Sequence, residues 1–282
     1  MPSVIHPTLQ DLMSQSDALP SIPRIVSQIL RELDMDDPNP RNIVMLASTD
    51  PALTAKIIAL ANSVMFNTGR TIASLDEAVQ RLGFMNIRAV VTTAALASSF
   101  KNVPSFDLEQ FWGYSLNAAL VAKTLARNFR LPEGPAFTAG LVHGIGELIL
   151  RIGAPDSMAE LKHVPFLDRS RIREELRLLG YSYADASALF LEQWDFPEDL
   201  VHSMRVFASS VAGHTDEEQP DPMAAIIHLA SWRARTQVIR DIPQADDFPE
   251  IAATALHLTL HDVLEKDPSE WTSAGQVAAL LN

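Results

Sequence analysis

His143, Gly144 and Glu147 stand together in the run Gly140-Leu-Val-His-Gly-Ile-Gly-Glu-Leu-Ile-Leu150. A neutral imidazole beside a carboxylate could serve one metal centre, but Gly144 has no side chain and can ligate nothing. A divalent cation needs about four to six donors, so one imidazole cannot hold it tightly. His143 on an apolar helix is therefore expected to be a hydrogen-bonded core residue rather than a ligand. Glu147, one turn later, could pair with His143 or face water, and the solvent reading is favoured. His257 and His261 are also one helical turn apart, a spacing open to two ligands on one face, but with no Glu between them a surface or packing role is expected.

Composition narrows the chemistry further. The 282 residues contain no cysteine, which removes disulfides, thiolate nucleophiles and thiolate metal sites. With 22 basic against 35 acidic residues the net charge is −13, unfavourable for broad nucleic-acid binding. The nearest basic cluster, 169–177, alternates with Glu174 and Glu175 and reads as a solvated helix face. No Gly-x-Ser-x-Gly turn and no Gly-rich phosphate cradle is present. No apolar run approaches the roughly 20 residues needed to span a bilayer, and the start has no basic-then-apolar signal pattern, so a cytoplasmic protein without membrane contact is expected.

The elements that position these residues read as all-α. Ile25, Val26, Ile29, Leu30 and Leu33 form one apolar stripe, and Leu53, Ile57, Ile58, Leu60 and Ala61 another. Asp50-Pro51 offers a cap and a first-turn proline, Ser74-Leu-Asp-Glu77 a capping box, and Gly83 a helix stop. Further helices are predicted over 107–129, 135–152, 168–179, 183–194 and 197–209. A loop or linker follows at 211–222, and a helical extension over 223–282, interrupted at 241–249, packs on the main body. Phe111-Trp112 and Trp194 look like core anchors, and Gly140 with Gly144 would let a neighbouring helix approach closely.

Leu19-Pro-Ser-Ile-Pro23, Asp50-Pro-Ala-Leu-Thr-Ala-Lys56 with Ala61-Asn-Ser63, and Ile72 through Leu82-Gly83 closely resemble the HDOD family, the HD-related output domain of bacterial signalling proteins. Phe111-Trp-Gly-Tyr-Ser115, Phe137 through Gly146, Gly180-Tyr-Ser-Tyr183 and Gln193-Trp-Asp-Phe-Pro197 continue the match in the same order, over roughly 12–210 within a domain of 1–210. The resemblance implies an HD-domain-like helical bundle with additional N- and C-terminal helices, related to the HD and HD-GYP phosphohydrolases. It places Tyr114, His143-Gly144, Tyr183, Phe207 with Ala208, and Ser231 where the catalytic relatives carry metal ligands, leaving His143 alone able to ligate. A degenerate active site is implied, hence a pseudoenzyme with no catalytic residue, metal or cofactor, and a vestigial pocket of Tyr114, His143, Gly144, Glu147, Tyr183, Phe207 and Ser231. The expected function is a noncatalytic bacterial signal-transduction output or adaptor module whose partners are signalling proteins, with a nucleotide or other small ligand possible. The alternatives are a metal-dependent phosphohydrolase with a rearranged site (His143, His202, His228 and nearby carboxylates) and a nucleotide-binding regulator without catalysis.

Overall fold

The computed structural model describes residues 6–14, 23–33, 35–62, 69–100, 103, 105–194, 196–213, 221–239, 247–268 and 271. These residues are all-α, with no strand among them. The helices are α1 (Leu9–Ser14), α2 (Arg24–Leu33), α3 (Pro40–Ala47), α4 (Pro51–Ala61), α5 (Leu75–Ser99), α6 (Leu108–Asn128), α7 (Glu133–Val142), α8 (Ile145–Gly153), α9 (Pro155–Glu160), α10 (Arg171–Leu179), α11 (Tyr183–Gln193), α12 (Glu198–Val211), α13 (Pro222–Val238), α14 (Glu250–Ala255) and α15 (Leu260–Glu265). They fall into two units: the described residues between 23 and 100 in one, and 6–14 with those between 103 and 271 in the other.

In the smaller unit α2, α3 and α4 all pack on α5. The Asp50 carboxylate accepts from Ala52 N and Leu53 N at 2.9 and 3.1 Å, starting α4, whose Leu53, Ile57 and Ala61 are buried. Ser74 Oγ accepts from Glu77 N at 3.2 Å to start α5. Gly83, at φ 67° and ψ 165°, then breaks that helix into two segments across a kink, a conformation that costs glycine little. The Asn62 amide holds the Ile72 peptide from both sides, donating to its carbonyl and accepting from its N–H, each at 2.7 Å. Residues 19–22 and 63, which carry parts of the family motifs, lie outside the described residues.

In the larger unit α6 is buried nearly all round, with α7 and α13 against it. Val121, Ala122, Leu125 and Ala126 of α6 share one apolar cluster with Ile226, Leu229 and Trp232 of α13, Ala252 and Ala253 of α14 and Val263 of α15. Gly140 lets α7 reach α6: a Cβ there would lie 2.7 Å from the Ala118 carbonyl oxygen and 2.8 Å from Ala119 Cα. The loop assigned to 211–222 is shorter at both ends, since Val211 closes α12 and Pro222 opens α13 behind an Asp221 cap; 214–220 lie outside the described residues.

Two expectations are corrected. The helix predicted over 135–152 is two helices, parted at His143-Gly144, where Gly144 takes φ −96° and ψ 2°. Glycine is a weak helix former, and this bridge conformation ends one helix and aims the next. The stretch 133–153 is also long and apolar enough to cross a membrane by length and composition, contrary to the sequence reading, but 83% of its apolar 18-residue window is buried inside the protein, as a core segment must be.

Gly146 is the tightest glycine. A Cβ there would sit on the Tyr183 carbonyl oxygen and 2.8 Å from Ser187 N, both backbone atoms of α11, while Gly146 N donates to Ser187 Oγ at 2.8 Å. Gly146→Ala is expected to lose about 1–3 kcal/mol or more, because backbone cannot move aside as a side chain can. A lowered urea midpoint with an unchanged m value is the readout; an unshifted midpoint refutes the close contact.

Candidate functional site

His143 caps the C-terminus of α7 and is fully buried. Its Nδ1 lies 2.7 Å from the Gly140 carbonyl and must carry the proton; its Nε2, 2.7 Å from the Tyr114 hydroxyl, accepts from that phenol. Both ring nitrogens are therefore engaged. Burial holds the imidazole neutral, pushing its pKa from 6.5 down to about 4 against the opposing Gly140 contact. Burial likewise raises the Tyr114 phenol, with Arg235 and the Ser231 and Tyr183 hydroxyls pulling the other way.

Aromatic rings surround this pair. Phe166, in the segment between α9 and α10, packs on Tyr114, Tyr183 and Phe111 at 5.5, 5.3 and 5.7 Å between centroids. Phe207 of α12 stands between His143 and His228, 6.0 and 5.9 Å from each ring. A Cβ on Gly144 would lie 3.3 Å from Phe166 Cζ and 3.5 Å from the Phe111 ring, so the volume an aspartate would need is occupied by phenyl edges. Gly140 makes the helix approach foreseen for it, whereas Gly144 instead makes room for rings.

Glu147 departs from expectation. It is fully buried rather than solvated, and its carboxylate is held by arginines rather than by His143. Arg171 Nη2 donates to both its oxygens at 3.0 Å and Arg151 Nε to Oε1 at 2.7 Å. Arg171 also donates to Glu175 at 2.7 Å and to the Val164 carbonyl at 2.9 Å, and Glu175 accepts from Tyr183 N at 2.8 Å. The basic cluster 169–177 is thus not wholly a solvated face: Arg173 and Arg177 are exposed, but Arg171 and Glu175 are in the interior. The reason is the pairing itself, since a guanidinium between two carboxylates can be desolvated where a lone charge cannot.

The structure gathers Tyr114, His143, Tyr183, Phe207 and Ser231 around one point, with Gly144 beside them and Glu147 in the adjoining ion network. His202 is exposed, 3.9 Å from Asp221, and His228 binds Ser210 Oγ at 3.1 Å behind Phe207, so the rearranged set of His143, His202 and His228 does not converge. His257 lies in the turn after α14 with φ 53°, while exposed His261 lies in α15 and pairs with Glu265 at 3.0 Å, so the two do not share one helix. Among the described residues no three His, Cys, Asp or Glu side chains group as metal ligands.

Tyr114→Phe tests the pairing. It strands the fully buried His143 Nε2 without the Tyr114 donor, and a loss of about 1–3 kcal/mol in denaturant unfolding is expected; unchanged stability would show the hydrogen bond to be absent.

The profile of the HDOD domain matches residues 19–209. The chain belongs to the HDOD domain family. Among solved structures it is similar to a Shewanella amazonensis SB2B protein provisionally described as a phosphohydrolase, with 25% identity, TM-score 0.74, and 96% of this chain and 98% of that one covered. An HDOD domain protein with unknown function from Geobacter sulfurreducens shares the fold at 22% identity and TM-score 0.70, covering 96% and 95%. A Marinobacter aquaeolei VT8 protein provisionally described as a signal transduction protein does so at 21% and 0.67, covering 98% of this chain and 61% of that one. An uncharacterized Treponema pallidum protein is 22% identical over 223 residues, 78% of this chain; the chain spans about two fifths (42%) of that curated relative's length.

Within this HDOD fold, sequence reasoning missed Phe166 and Arg171 as parts of the site. Phe166 stands 22 residues after Gly144 in an irregular segment, where no periodicity marks which ring turns inward. Arg171 and Glu175 have the i, i+4 spacing of an ordinary surface pair, and only tertiary packing distinguishes the buried case.

Proposed function

We propose that this HDOD protein is a noncatalytic signal-transduction output or adaptor module, cytoplasmic, with a degenerate metal site, acting by binding signalling proteins or a small ligand such as a nucleotide. One observation carries the reading. The imidazole that could ligate has both nitrogens hydrogen-bonded within the protein, and phenyl rings fill the position where a dyad carboxylate would stand. Metal-activated water needs open coordination positions and several donors, and neither is assembled around His143. The Marinobacter neighbour's description agrees with a signalling role. The Shewanella neighbour's description favours the second reading, a metal phosphohydrolase.

Metal analysis of protein purified without chelator, with turnover assays on bis(p-nitrophenyl) phosphate and cyclic dinucleotides in added Mn²⁺, separates the two. Substoichiometric metal and no turnover are expected. Stoichiometric metal with turnover abolished by His143→Ala would establish the hydrolase instead. Calorimetry with cyclic dinucleotides and guanine nucleotides then tests the small-ligand arm, saturable heat being its required result.

A further inference from the structure

We draw no further inference here: the strongest candidate, the side-chain cluster near the C-terminal end of α13 in which Arg235 pairs with Asp247 while its Nη1 is buried without a hydrogen-bond partner among the described residues and its charge acts on Tyr114 and Tyr183, carries nothing, because it borders the His143 site already described and nothing in the structure shows an opening through which a ligand would reach that donor.

Discussion

Arg171→Met should lower unfolding stability by about 3–5 kcal/mol, the scale for removing one partner from a buried charge network. Arg171 is 2% exposed and donates to Glu147, Glu175 and the carbonyls of Leu161 and Val164, joining α8, α10 and the segment between α9 and α10. Methionine fills the volume but leaves the Glu175 carboxylate with only the Tyr183 N–H, and Glu147 with Arg151 alone. Adding Glu147→Gln and Glu175→Gln should recover part of the loss, since the penalty lies in stranded anions rather than in missing packing. The pH dependence has a definite sign. Burial and the Glu147 charge push Glu175 up, to about 8, against the pull of Arg171. A carboxyl raised in the fold is more protonated there than in the unfolded chain, so its contribution falls as pH rises from the ordinary carboxylate range towards 8. The deficit of Arg171→Met is therefore expected to be larger at pH 8 than at pH 5 in urea titrations. A deficit under about 1 kcal/mol at both, the size of an exposed pair, would refute a buried network.

The second large effect is acid lability from His143. Its pKa is depressed in the fold to about 4 while the unfolded chain retains about 6.5, so the unfolded state takes up the proton first. Stability is complete above pH 6.5, declines as pH falls, and is reduced by about 3 kcal/mol once pH passes 4. His228, pushed down to about 4 by burial, works in the same direction, discounted for the surface it keeps. Urea midpoints between pH 7 and 4, compared with those of His143→Gln, isolate the imidazole from the glutamate. The variant should show the shallower slope, and parallel curves would mean that His143 ionises freely.

Much of this could be read from residues alone because it is local. Asp50, Ser74 and Asp107 cap the helices they were expected to start, and α6, α11 and α12 fall close to their predicted spans. The core role of His143 also followed from an imidazole on an apolar helix without a neighbouring donor. What local pattern could not supply was the surroundings of Gly144 and the fate of Glu147. Both are decided by groups more than twenty residues away, Phe166 against the glycine and Arg171 against the carboxylate, and nothing in a helical period encodes which distant side chain will arrive.

The tilted and edge-on rings beside His143 have a practical corollary. Circulating π electrons in Tyr114 and Phe207 displace the magnetic resonance of the imidazole carbon-bound protons from their random-coil positions. Those protons can thus act as an internal beacon, answering to any event that rotates either ring, even one that begins far from it.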